Sequence, residues 1–294
     1  MKLTCVTATF NCVKAGNRER LIRCVESVAK LKTEHEHLIY DGASTDGTVE
    51  LLLELEAKIP GLKVVSEPDT GIYNALNKGV RDAKGGWFYV LGADDYICAP
   101  EVLDDIMTRD ELDRSSDVIV TTVRKQTKTG ECDWFTDMSE LNRIFVVPCV
   151  CHQGEVLKTS LVRELGGFDE QYRIAADSDM LFKAHIKGAR FKYIFNTFAY
   201  FSFGGCAISN LDLALKEHRQ SVATVLGLTK RNEQKFVSDT HLLPTKLLLQ
   251  LLNHQDVCIR QSSYKMLKAK MRLCMRLLLF PLVWLTCPIR HRAN

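Results

Sequence analysis

The chain opens with a strand pattern followed by a helix pattern, and it repeats this unit three times within its N-terminal third. The strand-like segments are apolar and rich in β-branched or aromatic residues, namely Leu3–Phe10, Leu38–Tyr40 and Leu62–Val65. The third helix pattern, Ile72–Ala83, keeps its apolar residues on one face and leads into a fourth apolar run, Trp87–Leu91. Strands that alternate with helices predict a mostly parallel, doubly wound α/β sheet flanked by helices.

Each of the four predicted strands ends in a polar loop. These loops carry, in chain order, Thr9, Asp41, Asp69 and the adjacent pair Asp94 and Asp95. In a parallel sheet the carboxyl ends of the strands converge on one edge, where ligands bind. Any one aspartate could instead be a turn former or a helix cap. Four such loops in succession favour a binding site.

The adjacent pair Asp94 and Asp95 comes directly after Gly92-Ala93, where the chain leaves the predicted sheet. Hard divalent cations take carboxylate oxygens and keep water or substrate phosphate as further ligands. The pair could therefore hold Mg²⁺ or Mn²⁺ against a nucleotide diphosphate. The alternative is a simple turn in which one aspartate caps a helix near Pro100.

The second half of the chain carries further elements but no internal repeat. We predict a fifth strand over Val118–Val123, a hairpin over Gln126–Trp134 and a short helix over Thr159–Leu165. Asp177 and Asp179 then lead into a helix that carries Met180.

Charge is unevenly distributed along the 294 residues, whose net charge is +3. Residues 257–294 contain eight Lys or Arg and no Asp or Glu, which leaves residues 1–256 with a net charge of −5. Lys265, Lys268, Arg272 and Arg276 share one helical face, and the apolar segment Leu277–Cys287 follows. That segment is too short to span hydrocarbon, which takes roughly 20 residues. The pattern indicates a helix lying at a membrane surface, and the alternative is a basic helix docked on the protein.

Other classes and compartments find little support in the sequence. No recognition motif accompanies the basic charge, so we expect no nucleic-acid binding. The N-terminus has no charged region before a long apolar core, so we expect no signal peptide. The 11 cysteines show no C-x-x-C spacing, so we expect reduced thiols and a cytoplasmic protein.

An ordered series of motifs along residues 1–209 resembles the inverting glycosyltransferases of family 2, which have the GT-A fold. The nearest resemblance is to bacterial enzymes that build surface polysaccharides. The motifs are Thr9-Phe10-Asn11, Asp41-Gly42-Ala43-Ser44-Thr45-Asp46-Gly47-Thr48, Glu67-Pro68-Asp69-Thr70-Gly71-Ile72-Tyr73-Asn74-Ala75-Leu76-Asn77-Lys78-Gly79, Gly92-Ala93-Asp94-Asp95, His152-Gln153, Gly166-Gly167-Phe168-Asp169 and Ala175-Ala176-Asp177-Ser178-Asp179.

The resemblance implies a role for each residue of the four strand-end loops. Thr9 and Asp41 would contact the base and ribose of a nucleotide-sugar donor, preferably a UDP-sugar. Asp69 and Asp94 would lie around the nucleotide sugar, and Asp95 would bind Mn²⁺ or Mg²⁺ on its diphosphate. The metal pair is Asp-Asp rather than a spaced Asp-x-Asp, so the division of labour between the two stays open.

The resemblance also puts Asp177 at the position of the general base. Inverting transfer needs a carboxylate that takes the proton of the acceptor hydroxyl, and a carboxylate at a helix start can remain ionised. The alternative is that Asp177 only caps its helix, and Asp179 is the next choice for the base. His152 could orient the diphosphate or the acceptor, or it could be a packed core residue.

We therefore expect a metal-dependent glycosyltransferase with a GT-A domain over residues 1–230. Its nucleotide-sugar half would be residues 1–125, its acceptor half residues 126–230, and a basic helical extension would occupy residues 231–294. The enzyme would sit on the cytoplasmic face of the membrane and modify a lipid-linked saccharide for O-antigen (lipopolysaccharide), capsule or exopolysaccharide. The rivals are a sugar nucleotidyltransferase, whose glycine-rich phosphate loop is missing, and a non-catalytic nucleotide-sugar binding protein.

Overall fold

The computed structural model describes residues 2–127, 130–134, 144–146, 151–202, 210–239, 243–256 and 259–271. The strands are β1 Leu3–Thr9, β2 His35–Asp41, β3 Leu62–Ser66, β4 Trp87–Val90, β5 Tyr96–Ile97, β6 Val118–Thr127, β7 Gly130–Trp134, β8 Glu155–Lys158 and β9 Phe191–Phe201. The helices up to residue 251 are α1 Arg18–Ala29, α2 Thr48–Glu56, α3 Ile72–Asp82, α4 Pro100–Thr108, α5 Asp110–Ser115, α6 Thr159–Glu164, α7 Ala176–Lys187, α8 Leu211–Val225, α9 Lys230–Gln234 and α10 Thr245–Leu251. Helix α11 spans residues 259–271.

The strands form one sheet in the order β3-β2-β1-β4-β8-β6-β9-β5, with β7 paired to β6 outside this path. The four strands β3, β2, β1 and β4 are parallel. Beyond β4, strand β8 pairs antiparallel to both β4 and β6, while β6 and β9 are parallel. The predicted α/β class is confirmed, and the parallel run covers the strands that carry the predicted donor site.

Helices cover both faces of the sheet because successive strand residues point to opposite sides. On β4, Phe88 packs with Tyr73 and Val80 of α3. Its neighbours Trp87 and Tyr89 point the other way, into a cluster formed with α1 and α4. Burial on both faces explains why this strand reads as a continuous apolar run.

A third apolar cluster lies across the predicted domain boundary at residue 230. It joins Phe145 and Phe182 to Val222 of α8, and to side chains that follow residue 230. The latter are buried and comprise Phe236, Val237, Leu243, Leu248, Leu251 and Ile259. The segment from α9 into α11 therefore shares a core with the body of the protein.

The basic face predicted for the C-terminal region is only partly described. Lys265 and Lys268 are exposed on α11, whereas Leu267 packs against the third cluster. Arg272, Arg276 and the apolar segment Leu277–Cys287 lie outside the described residues. Along the described part of the chain, no helix is long and apolar enough to cross a membrane.

The sequence predicts most of these elements within a few residues. The predicted hairpin forms, but its first arm is continuous with the predicted fifth strand, because β6 runs from Val118 to Thr127 and pairs with β7 from Gly130 onward. Two short strands, Tyr96–Ile97 and Glu155–Lys158, are absent from the prediction. Neither is long enough to show an alternating pattern, so pairing partners that are distant in sequence decide their conformation.

Candidate active site

The carboxyl ends of β1, β2 and β3 meet at a buried aspartate. Asp41 is 1% exposed, and each of its carboxylate oxygens accepts two hydrogen bonds. Oδ1 accepts from the hydroxyls of Thr9 (3.0 Å) and Ser44 (2.6 Å). Oδ2 accepts from the Ser44 backbone N–H (2.8 Å) and the Ser66 hydroxyl (2.9 Å). Thr9 and Asp41 are thus brought together, as expected for neighbours across parallel strands.

An exposed aromatic ring stands beside this cluster. Phe10 follows Thr9 directly and is 65% exposed, so its ring is not part of the core. Asn11 adopts a left-handed backbone conformation with φ 46°. Its Oδ1 accepts from the Thr45 N–H (3.1 Å), which ties it to the loop that follows β2. Its own N–H donates to the Ser44 hydroxyl (2.7 Å). These bonds fix the backbone on both sides of the Phe10 side chain.

Asp69 follows β3 and lies against the loop that follows β2. A Cβ added at Gly42 would stand 2.8 Å from Asp69 Oδ2, so a larger residue there would displace the Asp69 side chain. The Asp69 Oδ1 accepts from the Gly71 N–H (3.0 Å) at the start of α3. The carboxylate is half-buried and borders the same edge of the sheet as Asp41.

The two adjacent aspartates after β4, Asp94 and Asp95, lie in different environments. Asp95 is 2% exposed, and it accepts from Gln153 Nε2 (2.7 Å) and from the Ser202 backbone N–H (2.8 Å). Asp94 is half-buried, and its backbone carbonyl accepts from the Ser202 hydroxyl (2.6 Å). Burial, followed by the charge of Asp94, raises the pKa of Asp95 to about 6. A Cβ at Gly92 would lie 2.5 Å from Asp95 Oδ2, so this close turn requires glycine.

Among the described residues, no group of three or more His, Cys, Asp or Glu side chains is arranged to hold a metal ion. The Asp94–Asp95 pair nevertheless suits a divalent cation that keeps other ligands. Each Asp95 oxygen accepts one hydrogen bond from these partners and retains a second lone pair. A cation would also relieve the like-charge repulsion that raises the pKa of Asp95. Magnesium sites commonly use one or two carboxylates, with water and substrate phosphate completing the shell.

Asp177 lies in the first turn of α7 and contacts a histidine from the preceding segment. Its Oδ2 is 3.2 Å from His152 Nδ1, and the two side chains are 30% and 32% exposed. Its Oδ1 accepts from the Ser178 N–H (2.8 Å), and the Tyr73 hydroxyl lies 3.5 Å away. Burial opposes charge on both groups, but the hydrogen bond between them raises the pKa of His152 and lowers the pKa of Asp177. The contact thereby favours the imidazolium form of His152 and the carboxylate form of Asp177.

Asp179, the second choice for the base, is engaged by other side chains. It is buried, and its carboxylate binds Lys183 Nζ (2.6 Å) and the Ser221 hydroxyl (2.6 Å). Lys183 follows at i+4 on the same helix, which is the spacing that brings opposite charges together. This carboxylate is directed into the protein rather than toward Asp177.

Two polar residues of the site are missing from the sequence prediction. Gln153 belongs to a matched motif, but only the fold shows its amide donating to Asp95. Glu155 is buried at the start of β8, and burial followed by the charge of Asp177 raises its pKa to about 8. Glu155 has no motif of its own. Its only sequence signal is its position three residues after His152.

The comparison with protein families decides the class of this chain. The model described as Glycosyl transferase family 2 matches residues 4–194, which is well over half of the chain. The chain belongs to this family. It is therefore a glycosyltransferase, and the resemblance noted from the motifs is confirmed.

Curated relatives include enzymes with different named products. The chain is 26% identical over 211 residues to a PGL/p-HBAD biosynthesis glycosyltransferase of Mycobacterium tuberculosis, covering 70% of this chain and 80% of that protein. It is 27% identical over 242 residues to a chondroitin synthase of Escherichia coli, covering 79% of this chain. It spans only 34% of the length of that synthase.

Solved structures share the fold at low sequence identity. Staphylococcus aureus TarS 1-349, in complex with UDP-GlcNAc, matches with a TM-score of 0.63 at 18% identity, covering 93% of this chain and 92% of that one. This chain spans 41% of a longer TarS chain. The mannosyltransferase PcManGT of Pyrobaculum calidifontis, with GDP-Man and Mn²⁺, matches with a TM-score of 0.58 at 18% identity, covering 96% and 80%. These likenesses confirm a GT-A-type architecture.

Proposed function

We propose that this glycosyltransferase inverts the anomeric centre as it moves a sugar from a nucleotide-sugar donor, with a UDP-sugar favoured. One observation carries the proposal: the adjacent residues His152 and Gln153 contact Asp177 and Asp95 respectively. His152 Nδ1 lies 3.2 Å from the Asp177 carboxylate, and the Gln153 amide donates to Asp95 at 2.7 Å. The proposed base, Asp177, and the proposed diphosphate site at Asp94 and Asp95 would therefore lie next to each other, as a single-displacement reaction requires.

The donor's base and ribose are proposed to bind at the ends of β1 and β2. Thr9 and Asp41 lie at the bottom of this proposed site, and each Asp41 carboxylate oxygen already accepts two hydrogen bonds. A donor group therefore reaches Asp41 by replacing one of the three hydroxyls. The exposed ring of Phe10 offers a face for stacking, which is worth roughly 1–3 kcal/mol per base in nucleic-acid complexes. Asp69 borders the same edge and would contact the nucleotide sugar.

Asp94 and Asp95 are proposed to hold Mn²⁺ or Mg²⁺ against the donor diphosphate, with Asp95 as the ligand and Asp94 beside the sugar nucleotide. The cation would neutralise the leaving diphosphate as a Lewis acid and a template. Gln153 and the Ser202 N–H fix the Asp95 carboxylate by hydrogen bonds of 2.7 and 2.8 Å. The fold relative PcManGT was solved with Mn²⁺.

Asp177 is proposed as the general base. Its carboxylate is ionised because His152 donates to it, and its 30% exposure leaves it within reach of an acceptor hydroxyl. As the acceptor oxygen attacks, Asp177 removes its proton while the bond to the diphosphate breaks. His152, held by Asp177, is then available to the diphosphate or the acceptor. Asp179 serves as a support within the acceptor half.

The acceptor is proposed to be a lipid-linked saccharide used for a bacterial surface polysaccharide such as O-antigen or capsule. One relative is named for PGL/p-HBAD biosynthesis and another for chondroitin synthesis. A lipid-linked acceptor requires the enzyme at the cytoplasmic leaflet, and the exposed Lys265 and Lys268 of α11 would contribute to peripheral attachment there.

A thermal-shift panel of UDP-, GDP-, dTDP- and CMP-sugars, with and without Mn²⁺, tests the proposal. A ligand that binds only the folded state raises the melting temperature. We expect one nucleotide class to stabilise the protein, more strongly with Mn²⁺, and the same donor to turn over. Equal stabilisation in Mn²⁺ and in excess EDTA would contradict the metal assignment. Turnover with retained anomeric configuration would contradict single displacement.

A further inference from the structure

Helix α8 directs three buried polar side chains at the N-terminus of α7, the helix that carries Asp177. This helix, Leu211–Val225, begins after the family match ends at residue 194. The three side chains are Glu217, His218 and Ser221, and each is buried. They bind the segment from residue 173 to residue 179.

Glu217 binds three consecutive backbone N–H groups that lead into α7. Its Oε2 accepts from Arg173 (3.1 Å), Ile174 (2.9 Å) and Ala175 (3.2 Å), and its Oε1 also accepts from Arg173 (3.0 Å). The carboxylate is 6% exposed. Hydrogen bonds to an ionised acceptor are about twice as strong as neutral ones, so this contact fixes the entry to the helix.

The contact anchors the chain where it enters α7. The N-cap residue of α7 is Ala175, which has no side-chain oxygen, and Glu217 binds the N–H of Ala175 and of the two residues before it. A carboxylate near a helix N-terminus also interacts favourably with the partial positive charge there. Glu217 lies 42 residues from Ala175, so the start of α7 depends on α8 being docked.

The neighbouring side chains of α8 extend this support to the two residues that follow Asp177. His218 Nδ1 is 3.3 Å from the Ser178 hydroxyl, which in turn donates to the Ala175 carbonyl (3.0 Å). Ser221 donates to Asp179 (2.6 Å). Asp177 itself makes no contact with α8 among these bonds. Its carboxylate instead contacts His152, the Ser178 N–H and the Tyr73 hydroxyl.

We infer that Glu217 is a positioning residue for Asp177, holding the first turn of α7 so that the Asp177 carboxylate faces His152 and the acceptor. This inference rests on the proposed role of Asp177 as general base. Because Glu217 is buried, we expect it to touch neither donor nor acceptor. Its loss should therefore change the rate of the proton-transfer step and leave donor binding intact.

The test measures hydrolysis of the donor that gives the largest thermal shift, with the full-length protein and water as acceptor. Glu217→Gln keeps one acceptor oxygen but loses the charge and the second oxygen. We expect kcat to fall about 10²-fold, the effect of a displacement of about 1 Å of a catalytic group. The dissociation constant of the donor should not change. Asp212→Asn removes an exposed carboxylate from the same helix and should retain wild-type kcat.

A double-mutant cycle separates positioning from general destabilisation. If Glu217 acts through Asp177, Glu217→Gln should cause no further loss in the Asp177→Asn background, because coupled residues are non-additive. Wild-type kcat in Glu217→Gln, or a loss that multiplies with that of Asp177→Asn, would overturn the inference. Full activity of Asp177→Asn would instead overturn the proposed base, and the inference with it. If Glu217→Gln fails to fold, Glu217→Asp keeps the buried charge at a shorter reach and carries the same expectations.

Discussion

Because Glu155 is protonated in the folded protein, the free energy of unfolding should fall as pH rises, and Glu155→Gln should remove this pH dependence. Glu155 is 4% exposed at the start of β8. Burial, followed by the charge of Asp177, raises its pKa from 4.5 to about 8, so it is mostly protonated in the folded protein at pH 7. In the unfolded chain the same group is ionised at that pH.

The sign and size of the effect follow from proton linkage. Between pH 4.5 and about 8 the folded state binds more protons at this site than the unfolded state. The free energy of unfolding therefore falls as pH rises through this window, by about 1.4 kcal/mol per pH unit for a single group. From pH 6 to pH 8 the loss is about 2 kcal/mol, because the slope flattens near the folded pKa.

Urea unfolding of the wild type and of Glu155→Gln at pH 6, 7 and 8 tests this. Glutamine resembles the protonated acid and does not titrate, so the variant should lack the loss of about 2 kcal/mol. Asp95 also has a raised pKa, of about 6, but it is common to both proteins and cancels in the comparison. Parallel stability curves for the two proteins would refute the assignment of a protonated Glu155.

Three further predictions concern the donor, the metal and the membrane. Phe10→Ala should weaken donor binding by roughly 1–3 kcal/mol in calorimetry whereas Phe10→Tyr should not, since stacking needs only a ring; equal affinity of both would exclude stacking. Asp95→Ala should abolish donor turnover with its circular dichroism unchanged, and wild-type turnover in excess EDTA would show that no metal is needed. A chain ended after Met271 keeps Lys265 and Lys268 but loses Arg272, Arg276 and the apolar segment Leu277–Cys287. It should co-sediment less with anionic vesicles at low salt, because each basic residue near such a surface adds about 1 kcal/mol. Full-length protein should sediment with them and should dissociate at high salt. Full-length protein that remains in the supernatant at low salt would show that the C-terminal region only packs on the protein.

The sequence predicts the four parallel strands of the fold well because each step there is local. β1 to β4 are apolar runs followed by polar loops, and the parallel topology follows from the helices between them. Asp41 and Thr9 then meet as register partners of adjacent strands. The meeting of these residues could be predicted before any coordinates, because strand order and direction determine it.

The contacts that hold α7 and β8 in place could not be predicted in this way. Glu217 binds backbone groups 42 to 44 residues away, and no local pattern signals which helix start a distant carboxylate will reach. The environment of Glu155 has the same origin, since β8 is buried between β4 and β6. The pairing of Asp179 with Lys183 has the i,i+4 spacing, but the bond from Ser221 depends on the docking of α8.

Asp177, held ionised by His152, is proposed to remove the proton of the acceptor as the sugar is transferred. The most direct test compares Asp177→Asn with Asp179→Asn for donor affinity and for turnover under saturating donor and Mn²⁺. We expect Asp177→Asn to bind the donor normally while its turnover falls by about 10²–10⁴-fold, the usual contribution of a positioned general base. Asp179→Asn should retain more of its turnover. Normal turnover by Asp177→Asn, with Asp179→Asn inactive, would contradict the account.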